Sequence, residues 1–334
     1  VLAALLGAGV VAFVIYHSGP GEVWAALVRA PLLFPIVVLL EAVLVGTETW
    51  CTYLLYGKEK QKVPFREVIR TTLFCYSLIA VLPFGRAAGE AARAAMLSKY
   101  VGIPRAAATA TQVQGFTLLG NAVLSIPCLI AAWILVGPGW LVVAIIGNFI
   151  VTGALGGGVL LAARHTKLGT RIARFFPGGG EWGPEVDTHL RGELKILPPL
   201  GAVMLSRAAL TAQRGVLLLA VGGISGVLHS LVSAGIYMVS GAIGDAIPAQ
   251  VGVTEAGYAV AAQVLALTKG DAVAMALLAH IAQLVWVAIG FLAPLVFGPP
   301  AGAPGDEPPP PPSIPSSEQG PIGSVATREW VPPR

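Results

Sequence analysis

Pro83-Phe84-Gly85-Arg86-Ala87-Ala88-Gly89-Glu90 ends one apolar run, and Pro248-Ala249-Gln250-Val251-Gly252-Val253-Thr254-Glu255 ends another. In both, a glutamate stands seven residues after the proline and opens a small-residue helix, Ala91–Tyr100 or Ala256–Leu267. Proline and glycine interrupt a hydrophobic helix here, and broken backbone inside a bilayer is tolerated only where protein or a wet cavity satisfies it. Paired interruptions in two halves of a chain mark the central site of many transporters. The two stretches therefore predict two re-entrant hairpins facing one cavity.

Composition points the same way. Hydrophobic residues make up 55% of the 334 positions and charged ones 11%, too little polar surface to coat a soluble globule. The apolar runs approach bilayer length, so the fold class is an all-α polytopic membrane protein, with about seven to eight spans plus the two hairpins. The net charge of +4 is modest and its basic residues lie in loops, which argues against nucleic acid as a partner. Cys51, Cys75 and Cys128 fall in separate apolar runs with no paired spacing; they read as buried small hydrophobes, and no disulfide or metal site is expected.

Outward from the two breaks, the chain divides into a membrane domain over 1–298 and a Pro-rich segment over 299–334. Leu2–Tyr16 lacks a basic start and an A-x-A exit, and reads as a span with a trimmed beginning rather than a signal peptide. Lys58, Lys60, Lys62, Arg66 and Arg70 make a basic loop, placed on the cytoplasmic side of the cell (inner) membrane by the positive-inside rule. Ala106–Val136 is a long span interrupted at Gly115, Gly120 and Pro127, and Gly153 with Gly157 suits close helix packing. Residues 164–197 form a polar cytoplasmic linker between halves 1–163 and 198–298, either solvated or lying on the leaflet surface through Arg171, Arg174, Phe175 and Phe176. Of twenty-one Lys and Arg residues only Arg29 and Lys269 fall in outer loops, so the hairpins enter from opposite faces as an inverted repeat. Pro308–Pro312 lies in a segment too poor in apolar residues to fold; it is a disordered cytoplasmic tail, a spacer or a ligand for a partner's aromatic groove.

The charged residues inside apolar runs are the candidate site. Glu41 and Glu48 are seven apart on one run, and Arg207 and Arg214 seven apart on another, so each pair lies within about 20° of one helical face. Charges at such depth usually face the bundle interior, and carboxylate opposite guanidinium is the simplest arrangement. The ladder either fixes helix register or offers the arginines to a lipid phosphate. Glu90 and Glu255 read either as first-turn charges on the helix dipole or as proton or headgroup-amine sites. Arg86 and Arg93 draw an anionic headgroup to the inner mouth or satisfy hairpin carbonyls, while Asp245, Gln250 and Thr254 serve the outer mouth. His229 and His280 read as packed or hydrogen-bonded side chains.

Pro83, Gly85, Gly89, Glu90 and Arg93, followed by Gly102, with the echo Pro248, Gly252, Thr254 and Glu255, resemble the flippase-like transmembrane domain of lysylphosphatidylglycerol synthases. The resemblance covers roughly residues 1–298 and implies movement of a polar-headed lipid between leaflets, with membrane lipids as partners and no cofactor. Where that family carries an arginine on the helix after each hairpin, this chain has Gln112 and Gln114, then His280 and Gln283. No stretch resembles the soluble aminoacyl-transfer domain of the bifunctional synthases, so the chain reads as a stand-alone member. It has no phosphate-binding GxxxxGK[ST] loop, no HExxH and no GxSxG, hence no catalytic residue is assigned. The expectation is a lipid translocator rather than an enzyme. An intramembrane transferase on a lipid-linked phosphate and a non-catalytic scaffold are the alternatives, and self-association is left open.

Overall fold

A segment surrounded by hydrocarbon must close its backbone hydrogen bonds internally, and helices do so residue by residue. The computed structural model describes residues 13, 15–17, 19–174, 179–192, 196–245, 247 and 250–297, and among these no strand occurs. The elements run α1 (Pro20–Arg29), α2 (Phe34–Leu55), a 3₁₀ turn (Gly57–Lys62), α3 (Phe65–Val81), α4 (Gly85–Val101), α5 (Ile103–Val136) and α6 (Trp140–His165). Two short helices follow, α7 (Leu168–Ala173) and α8 (Gly179–Arg191). The second half holds α9 (Leu197–Ala220), α10 (Val227–Gly244), α11 (Val253–Val260), a 3₁₀ turn (Ala262–Leu265) and α12 (Lys269–Val296).

Six helices, α2, α5, α6, α9, α10 and α12, are long and apolar enough to cross a membrane. Their outer faces are apolar: Val143, Ile150, Leu161 and Leu292 are each more than half exposed, whereas Arg93, Gln213 and Glu255 are buried. This inversion of the soluble pattern is what a lipid solvent requires, and the chain is an integral, multi-pass membrane protein. The Leu2–Tyr16 run, Pro248, Phe175, Phe176 and the 299–334 segment lie wholly or largely outside the described residues.

Several sequence expectations change. Ile103–Val136 is one unbroken helix, because Gly115 and Gly120 are packing positions: a Cβ at Gly115 meets Leu160 Cδ2 at 2.8 Å, and one at Gly120 meets Val203 Cγ1 at 2.2 Å. Gly156, not Gly153 or Gly157, carries the close α5–α6 approach, its Cβ position lying 2.8 Å from the backbone N of Leu119. Residues 164–197 are not a plain loop. Asp187 accepts hydrogen bonds from Gly169 N (2.6 Å) and Thr170 Oγ1 (2.6 Å), tying α7 to α8, and Val186 and Leu190 bury against Ala108 and Ala163. Arg70 leaves the basic loop for α3, where it forms a buried ion pair with Glu67 at 2.7 Å.

Contacts define the bundle's two ends. At one, Arg105 donates to Leu55 O at 2.8 Å, and Arg66 at the start of α3 donates to Phe297 O. At the other, Arg29 pairs with Asp271 at 2.9 Å, and the Gly222–Gly223 turn before α10 approaches Arg29 and Leu267. α3 and α10 therefore start from opposite ends, and each leads to one of the two breaks.

Candidate functional site

The first break is a single left-handed residue. Phe84 has φ 51°, uncommon for a residue with a side chain, and it turns the chain from α3 into α4. The two arms then lie in close contact because of Gly85 and Gly89. A Cβ on Gly85 would fall 2.0 Å from Ile79 O, and one on Gly89 2.5 Å from Ile79 Cγ1. This approach carries Arg93 into the bundle. Its guanidinium is 1% exposed, donates to Thr52 Oγ1 at 2.6 Å, pairs with Glu48, and lies 3.3 Å from Glu90. Two carboxylates from different helices thus converge on one arginine, whose planar fork suits such a junction.

The second break has the same ingredients in a different order. Gln250 is left-handed at φ 58° and Gly252 follows at φ 89°, a conformation that glycine adopts without strain. Glu255 is fully buried and its Oε2 accepts from Gly252 N at 2.7 Å, capping α11, while its Oε1 lies 2.8 Å from His280 Nδ1 on α12. A Cβ on Gly257 would fall 2.0 Å from Ser240 Oγ, so α11 lies against α10 much as α4 lies against α3.

Residues beside both breaks line one cavity of about 380 Å³: Ile79, Ala80 and Arg86 from the first, Asp245, Ile247 and Gln250 from the second. Arg86 and Asp245 reach each other at 3.7 Å, with side chains 39% and 46% exposed. Glu41, Glu48 and Arg207 also line this space, whereas Glu90, Arg93, Arg214 and Glu255 do not.

The expected ladder of Glu41 and Glu48 against Arg207 and Arg214 does not form. α9 turns Gln213 toward α2, where it donates to Val37 O at 3.2 Å and to Glu41 Oε2 at 2.6 Å, and Tyr76 OH occupies the other oxygen of Glu41. Glu48 is taken by Arg93. Arg214 lies about 100° further round the helix and stacks over Tyr237, 4.0 Å from the ring centroid. Arg207 is left facing the cavity. Among the described residues it makes no ion pair; its one hydrogen bond is a long 3.5 Å contact to Thr117 O, and its Nε is enclosed without a partner. Nor is there a group of three or more metal-ligating side chains among the described residues.

The sequence model described as Lysylphosphatidylglycerol synthase TM region matches residues 1–290. The chain belongs to that family. Comparison with curated proteins and with solved structures gives no match.

In this lysylphosphatidylglycerol synthase transmembrane-region protein, the cavity also contains residues to which the sequence reading gave no role. Tyr76 and Tyr237 line it, and α5 contributes Gln114, Thr117 and Asn121. Those three recur at i, i+3 and i+7, one face of a helix, and α6 adds Asn148 and Thr152 at i and i+4. The signal was present as polar residues of helical period inside apolar spans. It is weaker than a charge because amides and hydroxyls also occur as interhelical ties, as Asn148 does in donating to Ser125 Oγ at 3.0 Å.

Proposed function

We propose that this protein moves a polar-headed phospholipid between leaflets, with the phosphate held at Arg207 in the cavity between the two breaks. The observation that carries the reading is Arg207: a guanidinium facing a polar cavity inside a membrane-spanning bundle, with no counter-ion among the described residues. A charge inside a membrane-spanning bundle without a partner is costly, so its presence points to an anion that visits it. Arg86, on the same cavity, supplies a second cation. The α4 N-terminus beside it has no side-chain cap, leaving backbone N–H groups of the kind that favour anions.

On this reading the α3–α4 and α10–α11 pairs are re-entrant hairpins meeting near mid-membrane, and the halves 1–163 and 198–298 form an inverted repeat. Their starts at opposite ends of the bundle, and the Arg86–Asp245 contact between them, support that arrangement. The excess of Lys and Arg near the Gly57–Lys62 end favours that end, with the 299–334 tail, on the cytoplasmic side of the inner membrane. No bond-making step is assigned.

The test is reconstitution into vesicles containing acyl-labelled phosphatidylglycerol, with quencher added outside. Arg207→Gln should slow translocation about tenfold or more, the worth of a lost charge-assisted hydrogen bond. Its thermal midpoint should hold or rise, because no buried acid loses a partner. Wild-type translocation by a folded Arg207→Gln protein removes the assignment.

A further inference from the structure

We infer that the headgroup taken by this cavity is a phosphate diester carrying an uncharged, hydroxyl-rich group, a polyol or a sugar, rather than an amine. This rests on the proposed phosphate site at Arg207 and extends it to the rest of the headgroup.

Each carboxylate on the cavity already faces a donor. Glu41 accepts from Tyr76 and from Gln213 at 2.6 Å, Glu48 pairs with Arg93, and Asp245 faces Arg86 at 3.7 Å. A headgroup ammonium carries donors only, and to gain an acceptor of full charge it would have to displace a cation from Glu48 or Asp245 or share Glu41 with the neutral donors of Tyr76 and Gln213. Of the five side-chain amides on the cavity, only Asn148 has a described partner. Gln114 and Asn121 on α5, Gln250 beside the second break and Gln283 on α12 line the cavity and have no side-chain hydrogen bond to any described residue. They stand on three separate segments, so they border the space on several sides instead of forming one patch.

An amide presents two donor hydrogens and a carbonyl acceptor. Phosphate oxygens answer only the donors, and an ammonium answers only the acceptors. A hydroxyl donates and accepts at once, and is the group that matches an amide on both counts. With Arg207 for the phosphate and four unpartnered amides for its substituent, the complementary molecule is anionic at one point and hydroxylated, without charge, beyond it.

Native mass spectrometry of the full chain, exposed to acyl-matched phosphatidylinositol, phosphatidylethanolamine, lysine-acylated phosphatidylglycerol and phosphatidic acid, tests this, with soluble inositol 1-phosphate as a further arm. Phosphatidylinositol should be retained about tenfold over phosphatidic acid and over both amine-bearing lipids. Asn121→Leu combined with Gln283→Leu should bring phosphatidylinositol down to the phosphatidic acid level and leave phosphatidic acid unchanged, which also shows that the variant is folded. Retention of an amine-bearing lipid as strong as that of phosphatidylinositol, or equal retention of phosphatidylinositol and phosphatidic acid, overturns the inference while leaving the phosphate site standing. Inositol phosphate binding as tightly as the lipid overturns its lipid part. Failure to retain any of the phosphate-bearing lipids overturns both the inference and the translocation reading.

Discussion

The two breaks have the same proline-to-glutamate interval and put the glutamate to different use. At the first, Phe84 is the cap residue of α4, so Glu90 falls six residues into the helix, beyond the first turn, and meets Arg93. At the second, Gly252 is the cap residue of α11, so Glu255 falls at the third position and bonds back to the cap N–H. The distance that matters is from the start of the helix, not from the proline. One break consequently builds a charge cluster around the buried Arg93 across two helices, α2 and α4, and the other builds a capped helix tied to α12 through His280. Only the first leaves its helix N-terminus open beside the cavity.

The comparison breaks most severely at Arg93. Replacing it by alanine leaves the largely enclosed Glu90, and Glu48 on the cavity wall, without their cation, and removal of one partner of a buried pair typically costs about 3 to 5 kcal/mol. Arg93→Ala should therefore lower the unfolding free energy in micelles by about that amount, whereas Glu90→Gln, which leaves the Arg93–Glu48 pair in place, should cost clearly less. Equal losses from the two variants would mean that Glu90, not Glu48, is the principal partner.

Next in size is the closeness of the hairpin arms. Gly89→Ala and Gly257→Ala both overpack, a change that typically costs about 1 to 3 kcal/mol. Gly89 should be the worse of the two, because an added Cβ there meets the branched Ile79 side chain and falls 3.2 Å from Cys75 O, while the atom closest to one on Gly257 is a rotatable serine hydroxyl. Thermal midpoints in one detergent rank the pair directly.

Below that comes the cap. Glu255→Ala removes the acceptor for Gly252 N–H and the partner of His280, which the usual value of a capping interaction puts at about 1 to 2 kcal/mol. Since Glu255 does not line the cavity, folded Glu255→Ala should match wild type in the proposed lipid translocation, assayed in the same vesicles. A loss of transport with the fold intact would instead make the Glu255–His280 pair part of the transport path.

Much of this architecture could be read from residues alone. The breaks, the apolar spans and the charges within them were visible because hydropathy and Pro/Gly punctuation are local properties. Partner choice was not local. Glu48 and Arg93 both stand out in the sequence, but their pairing depends on Gly85 and Gly89 letting α4 settle against α3. Glu41 and Glu48 have the same seven-residue spacing as Arg207 and Arg214, which invites a ladder; a rotation of one residue, placing Gln213 where Arg214 was expected, removes it. The offset of Glu90 depends on the left-handed turn at Phe84, a position where nothing in the side chain favours that conformation. Residues 164–197 looked like a loop because their apolar positions are few. Val186 and Leu190 nevertheless lie four apart, enough for one short helix to bury a face.

The smallest expected stability effect lies where the two breaks touch. Arg86 and Asp245 meet at 3.7 Å with both side chains well exposed to the cavity, a geometry in which an ion pair is worth about 0 to 1 kcal/mol. Arg86→Ala and Asp245→Ala should each leave the melting temperature nearly unchanged, and a double-mutant cycle should give a coupling energy near the bottom of that range. Under the proposed function transport is the more sensitive readout, because this contact joins the two breaks at the cavity. If the hairpins move apart to pass a headgroup, either single substitution should alter the translocation rate, the double variant should resemble the singles, and added salt should shift wild type toward them by screening the exposed pair. If the hairpins stay fixed while lipid slides past, Asp245→Ala should leave the rate unchanged. Arg86→Ala would then act only through the cation it removes from the cavity, so the two single variants would differ. The contact is therefore a weak structural tie whose removal distinguishes moving breaks from static ones.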